Sequence, residues 1–270
     1  MRQEDGPQTQ SVQALERGLA VLQVFSREHP ALTLSEVARM ADVTRATARR
    51  ILLTLERLGH VRSDGKRFTL TPRVLSLGWA YLASLDLWEL AHPLMQELVA
   101  RTGESCSAAT LDLPDIVYVA RVPTRRIMSI TLGVGTRLPA HATSMGRVLL
   151  AGLPAEELGA YLDVTPLQRH TEHTIVDRAA LRTELDRVRE NGWALVDQEL
   201  ELGLRSVAAP LRDAGGRVFA ALNLSAAASR VSTDDLRGRL LPPLLETAEE
   251  ISTAVARSSP RGLDIAAPGF

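Results

Sequence analysis

Cysteine is nearly missing from this 270-residue chain, and so is lysine, each occurring once, as Cys106 and Lys66. One cysteine rules out an intramolecular disulfide and any Cys-rich zinc site, and a single Cys in an apolar strand reads as a small buried hydrophobe. Aromatic residues make up only 4%. No apolar run approaches the ~18 residues that a membrane span needs, so no membrane is expected among the partners. Met1 to Pro7 is polar and leads into no apolar segment of the signal-peptide kind, which gives the expectation of a cytoplasmic protein. Also missing are the Gly-x-Ser-x-Gly elbow, the phosphate-binding P-loop, His-Glu-x-x-His and a complete Gly-x-Gly-x-x-Gly, since Gly133-Val134-Gly135 lacks its third glycine. His141, Ser144 and Asp197 have no spacing that favours a triad, and His170 and His173 lack a third metal ligand nearby. The expectation is therefore no enzyme, no metal and no cofactor.

What is present is a charge asymmetry. The formal net charge is −1, yet residues 11–73 hold eleven Lys and Arg against six Asp and Glu, a surplus of five. The first ten residues carry −1, which leaves −5 for the remainder. A basic module joined to an acidic one points to separate partners, the first an anionic polymer.

The basic module centres on residues 33–59. Thr33 with Glu36 has capping-box spacing and starts a short helix. Asp42-Val43 breaks its period, and Thr44 caps a longer helix whose Ala48, Ile51, Leu52, Leu55 and Leu58 share one stripe before Gly59. Its other face carries Ala46, Arg49, Arg50, Leu53 and Arg57. That is a helix-turn-helix pattern, with a plain helical hairpin as the bland alternative. An earlier helix from Ser11, with Val12, Leu15, Leu19, Leu22 and Phe25 at helical spacing, roofs the pair. Its Gln13 and Arg17 reach either phosphate or solvent. After Gly59, Asp64-Gly65 between short strand-like runs predicts a hairpin with a type I′ turn, and Arg62, Lys66 and Arg67 gather at its tip. Three helices with a basic wing predict a binder of duplex DNA, with a winged helix acting through protein contacts as the rival. The expected DNA-facing residues are Gln13, Arg17, Ser35, Thr44, Arg45, Thr47, Arg49, Arg50, Thr54, Arg62, Lys66 and Arg67.

Thr71-Pro72 opens a further helix with Val74, Gly78, Tyr81, Leu85 and Trp88 on one stripe, expected to end before Pro93 and to serve as linker and dimerisation element. Beyond it come a helix from Leu94 to Thr102, a hairpin of Cys106–Leu111 and Ile116–Val122, and a strand Ile127–Leu132. Helices follow at Thr143–Gly152, Pro154–Leu162 and Arg178–Asn191. Strands return at Ala194–Gln198, Arg205–Leu211 and Val218–Leu224, and a last helix runs from Thr233 to about Ala256. The expected class is α+β: a six-stranded, mainly antiparallel sheet flanked by helices, with one face free to cup a ligand. The expected organisation is a disordered tail over 1–10, a winged helix-turn-helix over 11–72, a linker over 73–91, an effector domain over 92–257 and a disordered tail over 258–270. The loop from Arg137 to Arg147 leads into a helix N-terminus, where free N–H groups favour an anion. Arg137 and Arg205 are fork-shaped donors able to hold a carboxylate, and Ser206, Asn223 and Ser225 add neutral hydrogen bonds.

Four stretches carry a resemblance. Ser11–Leu19, Leu34–Ala38, Leu138–Arg147 and Gly203–Pro210 match, in order, the characteristic segments of the IclR family of bacterial transcription regulators. The resemblance implies an N-terminal winged helix-turn-helix on operator DNA, a linker helix and a GAF-like effector domain, assembled as homodimers or homotetramers that repress or activate promoters. It also implies an effector pocket at the positions of Ser144, Met145, Asp197 or its neighbour, Ser206, Asn223 and Ser225, to which the reading above adds Arg137, His141 and Arg205. Ser206 and Asn223 stand where a glyoxylate-responsive relative has Cys and Ser. The loop Gly135–Arg147 is most similar to the subgroup governing the β-ketoadipate pathway, which implies protocatechuate, p-hydroxybenzoate or β-ketoadipate as effector. Control of another small-acid pathway is the alternative within the family.

Overall fold

The computed structural model describes residues 11–26, 28–78, 87–124 and 132–258. The chain divides into two units, Met1–Ser84 and Leu85–Phe270.

In the first unit, α1 (Gln13–Gln23), β1 (Ala31–Thr33), α2 (Leu34–Met40) and α3 (Arg45–Arg57) precede the hairpin of β2 (Val61–Ser63) and β3 (Arg67–Leu70). The sheet order is β1-β3-β2, all antiparallel. The capping box forms as expected: Thr33 Oγ1 accepts from the Glu36 backbone, and Glu36 Oε2 accepts from Thr33 N at 2.7 Å. Those bonds hold the Glu36 carboxyl below its ordinary pKa. Thr33→Ala should lower the stability of this unit by about 1 kcal/mol, read from a chemical-denaturation midpoint. No change would mean that the cap is dispensable.

Val21, Phe25, Leu32, Val37, Ala38, Ala48, Leu52, Leu55 and Val61 form the core. Two expected stripes need correction. Val12, Leu15 and Leu19 are exposed, whereas Val21 is fully buried in the core it shares with residues of α2 and α3. Leu58 is also exposed, lying at the C-cap just before Gly59 takes φ +81°. The wing is not a type I′ turn. Only Gly65 is left-handed, at φ +91°, while Asp64 Oδ1 accepts from the backbone of Lys66 (2.8 Å) and Arg67 (2.7 Å). The carboxylate thus closes the connection that two left-handed residues would otherwise shape. Strand β1, paired to β3, was not legible because three residues show no period.

Thr71 accepts from Arg73 N and caps the short 3₁₀ turn Pro72–Val74, with helical backbone continuing to Gly78. Tyr81 and Leu85 lie outside the described residues. Trp88 packs in the second unit, on α4 (Leu87–Thr102), which runs through Pro93 instead of starting after it. The lost hydrogen bond is outweighed by Ala91, Met95 and Leu98, all fully buried on one stripe.

The second unit continues with β4 (Ser105–Asp112), β5 (Asp115–Val122), β6 (Arg137–Pro139), α5 (Ser144–Ala151), α6 (Ala155–Val164) and α7 (Arg178–Asn191). Then come β7 (Ala194–Asp197), β8 (Leu204–Arg212), β9 (Val218–Ala227) and α8 (Leu241–Ser258), which a turn at Thr233–Asp235 and a π-turn at Leu236–Leu240 introduce. Six antiparallel strands take the order β6-β5-β4-β9-β8-β7. Residues 125–131, most of the expected strand Ile127–Leu132, fall outside the described residues; the sixth described strand is β6. Neither sheet face is free, contrary to expectation. Cys106, Ala108, Val207, Ala209, Leu222 and Leu224 face α4 and α8. The alternate residues Ala109, Ile116, Tyr118, Ala208 and Ala221 face α5, α6 and α7, and their small size lets α5 lie close to the sheet.

Candidate functional site

Two surfaces carry chemistry, one in each unit. On α3, Arg45, Ala46, Arg49, Arg50, Leu53, Thr54 and Arg57 are exposed, while Ala48, Leu52 and Leu55 are buried. Thr44 caps the helix by accepting from Thr47 N at 3.2 Å, and the Thr54 hydroxyl donates to Arg50 O at 2.9 Å. Ser35 on α2 and Gln13 and Arg17 on α1 are exposed. In the wing, Arg62 Nε donates to Thr69 Oγ1 at 3.0 Å and Arg67 Nη1 to Ala31 O at 3.3 Å, so both stems are held. Exposed Lys66 marks the tip.

The second unit holds a cavity between the sheet and the N-terminus of α5. Alternation along the strands places Ser206, Asn223 and Ser225 on the sheet face beneath α5, together with Arg121 and Ser107. These groups are wired together. Arg121 Nη1 donates to Ser107 Oγ (3.1 Å), Ser107 N to Asn223 Oδ1 (3.2 Å) and Asn223 Nδ2 to Ser225 Oγ (3.1 Å). Leu132, Leu138, Met145, Val196, Leu200 and Leu204 supply apolar walls, and Tyr118 lines the floor. Burial pushes the Tyr118 phenol up to about 12, with Arg121 pulling the other way, so it stays a neutral donor. The cavity holds about 540 Å³ of empty space with its mouth included.

Two polar groups in this cavity are unsatisfied in different ways. Ser144, 1% exposed at the first position of α5, has a buried Oγ with no hydrogen-bond partner among the described residues. Arg121 is half-buried and has no carboxylate within ion-pairing distance among the described residues. A half-buried guanidinium with no carboxylate paired to it among the described residues favours an anionic ligand. Gly146 makes the close approach of α5 possible, since a Cβ there would lie 2.1 Å from Ala140 O.

Five of the nine expected effector residues therefore converge: Ser144, Met145, Ser206, Asn223 and Ser225. Four do not line this cavity. Arg137 lies on edge strand β6 and is ion-paired to Asp112 and, at 3.2 Å, to Asp115. Asp197 and Arg205 neutralise each other at 2.5 Å, with Arg205 also donating to Ala228 O and Val231 O. Neighbouring carboxylates have thus consumed both arginines singled out from sequence. His141 is 2% exposed, with Nε2 on Gln168 O at 3.0 Å and its ring 5.8 Å from that of His170, so it is not aligned with Ser144 and Asp197. Burial depresses the His141 pKa, opposed by the Gln168 contact. The folded form thus prefers neutral imidazole, and the unfolded chain takes up the proton first. Stability from this site should be complete above about pH 6.5 and decline below it, a loss that His141→Gln removes from a pH series of melting temperatures. An unchanged slope would clear His141 of that role.

Sequence reading missed Arg121, although a charged residue in the run Ile116–Val122 was a visible break in an apolar strand. It also missed the buried pair of Arg147 on α5 and Glu199 after β7, with Nη2 and Oε2 2.5 Å apart. Arg147 Nε also donates to His141 O, and Ile175 N donates to Glu199. Among the described residues no cluster of His, Cys, Asp or Glu could hold a metal ion, and no helix is long and apolar enough to cross a membrane.

Comparison with known proteins agrees with this architecture. Residues 14–65 match the IclR helix-turn-helix domain, and residues 79–253 match the family described as bacterial transcriptional regulator IclR C-terminal. The chain is 43% identical over 239 residues to the Pca regulon regulatory protein of Pseudomonas putida, covering 88% of this chain and 82% of that one. It is 36% identical over 249 residues to the p-hydroxybenzoate hydroxylase transcriptional activator of Acinetobacter baylyi, covering 90% and 92%. Among solved structures, an IclR homolog from Microbacterium hydrocarbonoxydans complexed with 4-hydroxybenzoate superposes with TM-score 0.79 at 28% identity, covering 91% and 100%. A protein from Rhodococcus sp. RHA1 gives 0.80 at 53% identity, covering 92% and 100%. With both its halves matched, this chain belongs to the IclR family of bacterial transcriptional regulators, DNA-binding proteins and not enzymes.

Proposed function

We propose that this regulator controls genes for the catabolism of aromatic compounds, and that a small carboxylate of the protocatechuate, 4-hydroxybenzoate or β-ketoadipate class sets its affinity for operator DNA. The observation that carries the effector half is Arg121, a half-buried cation with no acid paired to it among the described residues, in a cavity that also holds the Ser144 hydroxyl, likewise without a partner among them. A carboxylate on Arg121 would supply the missing charge, and the leucines and Met145 would flank a ring. The relatives named for the Pca regulon and for p-hydroxybenzoate hydroxylase, and the 4-hydroxybenzoate complex, support this choice of acid.

Each expected DNA contact is part of the same reading. Arg45, Arg49 and Arg50 would lie at base edges, while Gln13, Arg17, Ser35, Thr44, Thr47, Thr54, Arg62, Lys66 and Arg67 would meet the backbone. Major-groove readers of this kind bind paired half-sites, which favours a homodimer or homotetramer working in the cytoplasm. Full-length protein on its selected DNA should lose affinity steeply between ~50 and 200 mM salt. Arg49→Ala should cost roughly 1–3 kcal/mol on the selected site and little on random duplex, whereas Lys66→Ala should weaken both alike and reduce the salt slope by about one. A flat salt response would favour a winged helix that works through protein contacts.

A further inference from the structure

The outward face of α3 lacks some of the groups that read bases. Among the described residues of this helix, no Asn or Gln occurs, and its one acid, Glu56, is half-buried and accepts from Ser63 N at 3.2 Å. Thr54 gives its hydroxyl proton to Arg50 O. Exposed beside Thr54 are Arg45, Arg49, Arg50 and Arg57 and the aliphatic Ala46 and Leu53, the last two one helical repeat of seven apart and so on the same face. Leu53 is 44% exposed.

In the major groove, adenine is read bidentately by Asn or Gln at N6 and N7, cytosine N4 by Asp or Glu, guanine O6 and N7 by Arg, and thymine by apolar contact with its 5-methyl. We infer that this regulator identifies A·T pairs through the thymine methyl, using Ala46 and Leu53, and G·C pairs through guanine, using its arginines, with adenine N7 and cytosine N4 unread by α3. Resting on the assignment of α3 as the recognition helix, this specifies which atoms of the operator are read. Methyl contacts also suit this helix physically. An exposed Leu gains by meeting a methyl group without any polar partner to satisfy, and a neighbouring arginine reaches the next guanine.

The test uses full-length protein and a duplex enriched from a random-core library, with affinity followed by fluorescence anisotropy. Replacing dT by dU removes only the 5-methyl, 7-deaza-dA removes only adenine N7, and 7-deaza-dG removes only guanine N7. Single dU substitutions at contacted positions should weaken binding about four-fold each. 7-Deaza-dG should weaken it about ten-fold, and 7-deaza-dA should have no effect. In Leu53→Ala, one dU position should become indistinguishable from dT, while the others keep their penalty. Indifference to dU combined with a loss on 7-deaza-dA would overturn the inference while leaving α3 as a DNA reader. Failure to enrich any sequence would instead overturn the recognition-helix assignment on which it rests.

Discussion

Arg121→Gln is expected to abolish the stabilisation that 4-hydroxybenzoate or protocatechuate gives the protein. A ligand that binds only the folded state at a hundred times its Kd adds about 2.7 kcal/mol, a clear rise in melting temperature. Truncating one partner of a desolvated charge pair costs about 2–5 kcal/mol, so the variant's affinity should fall at least thirty-fold. Ligand-free protein should behave differently. Arg121 is half-buried and its described contacts include one neutral hydrogen bond to Ser107 but no carboxylate, so removing the charge should leave the ligand-free fold as stable as before or more so. Arg137→Gln is the control, since Asp112 and Asp115 already occupy that guanidinium. Full ligand stabilisation in Arg121→Gln would remove Arg121 from the site.

The second large effect concerns Arg147 and Glu199, whose side chains are 2% and 9% exposed. Arg147→Met strands a buried carboxylate with the Ile175 amide as its remaining described donor, and breaking such a pair costs about 3–5 kcal/mol. The double variant Arg147→Met/Glu199→Leu should regain most of that loss, because two apolar side chains of similar volume need no counter-charge. Denaturant midpoints should shift strongly for the single variant and weakly for the double, at constant slope. A single variant as stable as the parent would mean that Glu199 does not depend on Arg147 for its counter-charge. The pair also ties α5, which carries Ser144 and Met145, to the segment that carries Leu200, so its loss should loosen the cavity walls as well.

Local rules were most legible where one residue type meets one backbone need. Thr33 with Glu36, Thr44 and Gly59 set the helix-turn-helix limits from sequence, because capping depends on neighbours three or four positions away. Ser206, Asn223 and Ser225 could be grouped from sequence as neutral hydrogen-bonding side chains, and the sheet register sets them on one face. What could not be read was pairing at long range. Arg137 and Arg205 look like free donors along the chain, and only the sheet register brings Asp112, Asp115 and Asp197 against them. Arg121 looks like an ordinary strand charge until register sets it beside Ser107 and Asn223. Helix α1 shows the same limit. Its apolar residues cover more than one stripe, and packing selects Val21 for burial in place of Leu15 and Leu19.

The central claim is that a carboxylate held at Arg121 changes the grip of the basic first unit on DNA. Its most direct test is the anisotropy of a labelled selected duplex titrated with full-length protein, with and without saturating 4-hydroxybenzoate or protocatechuate. At least one of these acids should displace the binding midpoint for the natural protein and leave it unmoved for Arg121→Gln. Superimposable curves for the natural protein with either acid, or an equal displacement in the variant, would contradict the account.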